Sequence, residues 1–457
     1  MKASGRQNDF GSGKVWKVIM IQSIPLMMAQ LVHLLYNVVD RIYIGHLEGI
    51  GALALTGLGL AFPLTTLTAA FTNLFATGGA PLFAIARGEG NDEKAERVLS
   101  QVTMLLCVMS VILFLVGFFF RKPILYLFGA SDASYIYADQ YLRIYLFGTL
   151  FAMLSTGLNG FINASGFPRA GMMTIVLGAV LNLILDPIFI YFFHMGVAGA
   201  ALATVLSQFA SCFWALSFFH GDTAPYHIQR QYMAPDLSII KDLIPLGTAG
   251  FIMQGTNALV QILCNVMLRQ YGGDLYVGIM TVINSIREIL SLPTSSISQA
   301  SQPIISFNFG ARKHSRIRET IRFMTFAILL YTFVAWILVL LIPDKLMGIF
   351  TSDMEMVRLG THSLKLYFFG FVFMAFQMAG QSTFTALKCS KRAIFFSLFR
   401  KVIIVVPLTL LLPGFFGTDG VFLAEPVSNV LGGLASYTAM YLTAYKKLPE
   451  DGQPAVI

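Results

Sequence analysis

Residues 98–120 read VLSQVTMLLCVMSVILFLVGFFF, 23 consecutive positions without an Asp, Glu, Lys or Arg. At about 1.5 Å of rise per helical residue, such a run crosses the ~30 Å hydrocarbon core of a bilayer. Comparable uncharged runs cover 18–39, 49–86, 144–168, 187–221, 243–268, 289–311, 323–343, 366–387 and 426–445. With shorter runs at 170–185 and 402–418, they predict an all-α membrane protein of about twelve transmembrane helices. Composition agrees, since 56% of the 457 residues are hydrophobic and 12% are charged, against about 25% charged in an ordinary soluble protein. The 31 Lys and Arg and 23 Asp and Glu cannot cover the surface of a soluble chain of this length. A soluble enzyme, a secreted protein and a nucleic-acid binder are excluded on this ground. Met1 to Lys17 is polar and a full-length apolar run follows, so no cleavable signal is expected.

The net charge of +8 bears on topology. With twelve spans, both termini share one side with alternate loops. That side collects 22 of the 31 bases, among them Arg87, Arg97, Arg169, Lys241, Arg316, Lys388, Arg400 and Lys401. The positive-inside rule then places both termini in the cytoplasm, in a multi-pass protein of the cell (inner) membrane. Cys107, Cys212, Cys264 and Cys389 lie in apolar runs without CxxC spacing, which predicts small buried residues, with neither disulfide nor metal.

The chain repeats itself. Ile24-Pro25-Leu26 and Asn37 recur as Ile244-Pro245-Leu246 and Asn257, 220 residues on. Pro81, Gly88, Phe128, Tyr145, Gly148 and Ala164 recur as Pro303, Gly310, Phe350, Tyr367, Gly370 and Ala386 at an offset of 222, and Gly199 and Ala203 as Gly420 and Ala424 at 221. An ordered series over six spans predicts two duplicated six-helix bundles, the architecture of secondary transporters. The expected organisation is a cytoplasmic tail (1–14), an N-terminal lobe (15–220), a cytoplasmic linker (221–236), a C-terminal lobe (237–445) and a second cytoplasmic tail (446–457).

Asp40 lies opposite Val260 in this repeat and Asp186 opposite Pro407, so the deeply embedded acids are expected in the N-terminal lobe alone. A carboxylate within a span costs ~2.5–3.5 kcal/mol on insertion scales and is rarely kept without a use. Tyr36 and Asn37 precede Asp40 by four and three residues, on one helix face. Asn182 and Asp186, and Asn159 and Asn163, have the same i, i+4 spacing on other spans, and Thr204 is on the sixth. Such a chamber suits a carboxylate pair that takes up and releases a proton, and it equally suits Na⁺, a hard cation that favours oxygen ligands. The bland alternative is that Asp40 pairs with Arg41 at the membrane edge and Asp186 caps a polar helix contact. Pro25 lies inside the first span and predicts a kink, as a moving hinge or a static bend. In the C-terminal lobe Gln254, Asn257 and Gln261 share a face, suited to substrate contact or to helix–helix hydrogen bonds. Glu288 beside Arg287 is a secondary site candidate.

Val38-Val39-Asp40-Arg41-Ile42-Tyr43-Ile44-Gly45 resembles the first-span signature of the multidrug and toxic compound extrusion (MATE) family. Gln302 to Ala311 (QPIISFNFGA) is similar to its eighth-span signature, and Asn182 to Pro187 (NLILDP) to its fifth span. The resemblance covers about 15–445. It implies two six-helix bundles around a central cavity and export of amphipathic organic cations or drugs in exchange for H⁺ or Na⁺. The cation-coupling and Na⁺-ligating set it implies is Asp40, Asn182, Asp186 and Thr204. Substrate contacts are expected at Tyr36, Asn37, Asn159, Asn163, Gln254, Asn257 and Glu288, with no catalytic residue. The branch resembled is the DinF-like one, because amides stand where the NorM-like branch has C-lobe acids.

The expected function is therefore a multidrug efflux antiporter, not an enzyme. It would need no cofactor beyond H⁺ or Na⁺ and would act on small-molecule organic cations within the lipid bilayer. Neither nucleic acid nor a second copy of the chain is expected as a partner. The competing reading is a lipid-linked oligosaccharide flippase on a related duplicated fold, which needs an Arg-rich cavity. A membrane enzyme lacks its HExxH or Ser/His pair, and a receptor or scaffold needs no intramembrane acids.

Overall fold

The protein is described by a computed structural model covering residues 7–45, 51–128, 130–351 and 353–455. Every regular element among the described residues is helical. The N-terminal half runs α1 (Val15–Gly45), α2 (Gly51–Gly88), α3 (Asp92–Leu127), α4 (Asp132–Phe147), α5 (Thr149–Ala164), α6 (Pro168–Pro187) and α7 (Gly196–His220). The C-terminal half runs α8 (Leu237–Gly310), α9 (His314–Leu341), α10 (Pro343–Gly348), α11 (Met354–Phe368), α12 (Met374–Ala386), α13 (Ser390–Leu398), α14 (Val406–Leu411), α15 (Pro413–Phe416) and α16 (Thr418–Thr443).

Nine stretches of described helix are long and apolar enough to cross a membrane, and α4 and α5 form a tenth, bent by 56°. Helix α8 breaks at Gly273, whose φ of 75° an L side chain would resist, so its 74 residues supply two spans. With the 26-residue α16, the spans number twelve. Large apolar side chains such as Phe119, Phe192 and Phe415 are exposed on the outside, as lipid contact requires.

The chain divides into two compact units, and the division crosses α1. Ile24–Ala86 and Asn91–Gly247 pack in the first unit, whereas Asp9–Ser23 and Arg87–Gly90 pack in the second with Thr248–Ile457. The first unit has a core around Phe83, Leu99, Phe161 and Phe219 and another around Ile44, Leu142 and Ala201. There α2 and α8 touch backbone to backbone, since a Cβ at Gly247 would overlap the Leu74 carbonyl.

In the second unit the signature run 302–311 holds the N-terminal segment. Asn308 Nδ2 donates to the Phe10 carbonyl at 2.9 Å and Lys313 Nζ to the Gly11 carbonyl at 2.9 Å. Arg316 donates to the carbonyls of Ser12 and Gly13, both at 2.9 Å. The Arg87 guanidinium lies 5.3 Å from the Phe10 ring centre and 5.4 Å from that of Phe307, within cation–π range.

One expectation from the charge pattern is overturned. Arg400 and Lys401 are not loop residues. They lie in a π-helical stretch, Phe399–Val405, inside the span Ser390–Phe416, and Lys401 is 3% exposed.

Candidate functional site

Helix α6 presents Asn182 and Asp186 on one face, four residues apart, and both are buried, Asp186 at 1% exposure. Asn182 Nδ2 donates to Asp186 Oδ1 at 3.2 Å. The Asp186 carboxyl also lies close to the carboxyl of Asp40 on α1. Two carboxyl groups can share a hydrogen bond when one of them carries a proton. Directly after Asp186, Pro187 removes a backbone donor, and the helix continues as a wider π-helical turn over Ile188–Phe192.

Tyr36 faces Asp40, Asp186 and Tyr145 of α4. Tyr141 is close to Asp40 and to Thr204 of α7, whose Oγ1 donates to the Ala200 carbonyl at 2.9 Å. Tyr145 lies near Gln208. The structure thus brings Tyr36, Asp40, Asn182, Asp186 and Thr204 together, and adds Tyr141 and Tyr145, which helical spacing from the acids could not reveal.

Asn159 and Asn163 are engaged elsewhere. Asn163 Nδ2 donates to Asn159 Oδ1 at 2.8 Å, and Asn159 Nδ2 donates to the Gly171 carbonyl of α6 at 2.6 Å. This joins α5 to α6. The side chain of Asn37 lies outside the described residues. Pro25 sits within α1, two residues past the point at which that helix changes unit.

A second charged cluster lies inside the C-terminal unit. Glu425 of α16 is buried. Its Oε1 accepts from Arg400 at 3.1 Å and from Lys401 at 3.0 Å, and its Oε2 accepts from Lys401 at 3.1 Å. The expectation that embedded acids occur in the N-terminal lobe alone is therefore corrected. Glu425 sits at the boundary of an uncharged run, where a single acid reads as a span end. The repeat could have found it, because an offset of 221 carries Thr204 onto Glu425 and Gln208 onto Asn429. Arg287, Lys401 and Glu425 border a small recess of about 100 Å³, with Asn257, Gln261 and Tyr367 also in its wall. Gln254 and Glu288 are exposed on α8.

Two helical units, each with its own polar cluster buried inside apolar spans, form a scaffold that the family model for MatE matches over residues 25–188 and 251–411. The chain belongs to the MATE family. Among its relatives, the multidrug export protein MepA of Staphylococcus aureus (strain MSSA476) is 24% identical over 441 residues, 95% of each chain. The solved structure of the MATE multidrug transporter DinF-BH in complex with R6G is 31% identical, with a TM-score of 0.86 over 97% of this chain and 98% of that one. An outward-facing MATE family transporter of the MOP superfamily shares the fold, at 22% identity and a TM-score of 0.88 over 95% of this chain and 97% of that one. As a MATE protein the chain is a multi-pass membrane transporter and not an enzyme. No group of three or more His, Cys, Asp or Glu suited to a metal ion is found among the described residues.

Proposed function

We propose that this protein is a secondary active multidrug efflux antiporter, exporting amphipathic organic cations in exchange for H⁺, with Asp40 and Asp186 as the coupling carboxylates. One observation carries the reading: the Asp40 and Asp186 carboxyls lie close together inside apolar helices. A shared proton neutralises one charge of the pair, and its release restores an acidic chamber that attracts the next cation. The same oxygens could instead ligate Na⁺. Export of drugs by MepA and capture of R6G by DinF-BH support the substrate class. The 31% identity to DinF-BH supports the DinF-like branch. The lobes 15–220 and 237–445, a monomeric state and cytoplasmic termini in the inner membrane complete the proposal.

The test is dye efflux from inverted membrane vesicles under an imposed pH gradient and then an imposed Na⁺ gradient. The pH gradient should drive flux, and Asp40→Asn should abolish it while the protein still reaches the membrane. Undiminished flux in that variant would sink the assignment, and flux driven by Na⁺ alone would replace the coupling ion.

A further inference from the structure

The basic recess of the C-terminal unit has no role in the coupling scheme. Glu425 has both oxygens committed, to Arg400 and Lys401. Arg287 also borders the recess, and its buried Nε has no hydrogen-bond partner among the described residues. A guanidinium has five N–H donors and cannot shed its charge, so in an apolar span it is strongly stabilised by an anion. Glu425 and Glu288 are the acids that act on Arg287 electrostatically. Glu288 is exposed and adjacent in the helix, so it points away. Even counting both acids, three cations against two leave the cluster positive.

The internal repeat sharpens the contrast. Tyr145, Thr204 and Gln208 surround the acidic chamber, and their repeat counterparts Tyr367, Glu425 and Asn429 belong to the basic cluster. Duplication has kept the polar position, and the basic character there comes from Arg287, Arg400 and Lys401. The remaining wall mixes amides with apolar surface from Val260 and Met280, which suits an anionic group on an apolar body.

We propose that this recess binds the carboxylate of an amphipathic ligand, with Arg287 as its anchor and Lys401 beside it. Carboxylate fits a single free guanidinium, whose fork pairs bidentately with two oxygens. The assignment of the carboxylate's anchor rests on the export reading, which supplies the amphipathic class of ligand.

The experiment uses purified full-length protein and a matched dye pair, rhodamine B with its free carboxylate and its ethyl ester, followed by fluorescence anisotropy. Arg287→Gln should weaken the free acid by about tenfold or more and leave the ester within about twofold. Arg287→Lys should fall between. Unchanged affinity for the acid in Arg287→Gln, or an equal loss for both dyes, overturns the proposal. If Arg287→Gln cannot be purified folded, 2-naphthoate added to the wild type should displace the acid and spare the ester; failure to displace it overturns the site. Loss of the discrimination in phosphatidylglycerol nanodiscs would assign the recess to a lipid headgroup and overturn it too. Binding is independent of transport, so discrimination without vesicle flux would fail the export reading while leaving the site standing.

Discussion

Glu425 and Lys401 show what one buried charge demands of its neighbours. Each is surrounded by apolar helix and relies on the other, with Arg400 as a third member. Glu425→Gln strands two cations, and removing one partner of a buried pair costs about 3–5 kcal/mol. Its melting temperature after purification should fall well below wild type, more than for Lys401→Met, which leaves Glu425 bound to Arg400. Equal melting of all three proteins would contradict the network. In the N-terminal unit, Asp186→Asn should keep the bond from Asn182 as a weaker contact but lose the titrating partner of Asp40. Gradient-driven efflux should then fall by at least about tenfold, given that the shared proton requires two carboxyls. The residue scale also shows why Asp40 and Asp186 were legible and Glu425 was not. Asp186 separates two apolar runs and Asp40 closes a run that carries Tyr36 and Asn37 on its face, whereas Glu425 reads as a span end.

At the scale of elements, α1 is divided by packing while remaining one helix. Its turns to Ser23 belong with the C-terminal unit and its turns from Ile24 with the N-terminal unit, and Pro25 lacks the N–H that would tie the two parts by a backbone bond. Pro25→Ala should slow efflux several-fold while leaving rhodamine B ethyl ester affinity unchanged. An unaltered efflux rate would make Pro25 a static bend. The close contact of α2 with α8 at Gly247 admits no side chain. Gly247→Val should therefore destabilise by about 1–3 kcal/mol or more, through overpacking, read as lost yield of folded protein in the membrane. The bundles, the repeat and the break between spans seven and eight follow from hydropathy and glycine chemistry. The change of unit within α1 does not, because it depends on what lies beside each turn.

For the whole molecule, the segment from Asp9 and the C-terminal tail are both fastened within the C-terminal unit by polar contacts. Asp9 accepts from Ser12 Oγ at 2.5 Å and from the Gly11 N–H at 2.8 Å. The Ser12 hydroxyl above all, with the Gly11 N–H and the charges of Lys313 and Arg316, holds its carboxyl below the usual range. Asp451 is lowered in the same way by Ser315. A carboxyl lowered by folding stabilises the fold above its unfolded value, ~3.9, and that share is lost as pH falls through the lowered value. The melting temperature of Asp9→Asn should lie below wild type at neutral pH, and the gap should close on acidification. A gap that persists in acid would mean the contact acts through shape and not charge. Cysteines introduced singly at Ser12 and Glu450 should react with a membrane-impermeant maleimide only after cells are permeabilised, if both termini are cytoplasmic.

The sequence by itself determined the all-α membrane class, the duplicated architecture and the MATE family, and it marked Asp40 and Asp186 as acids set in apolar spans. Each of these rests on a local property: a span must be about twenty residues of low charge, and a buried acid interrupts such a run. Tertiary structure alone decided that Tyr141 and Tyr145 join the acids, that Asn159 and Asn163 bond helix to helix, and that Arg400, Lys401 and Glu425 form a buried cluster beside Arg287. Whether a charge near the end of an apolar run faces water or a partner is set by the neighbouring helices, and hydropathy along one chain does not contain that information.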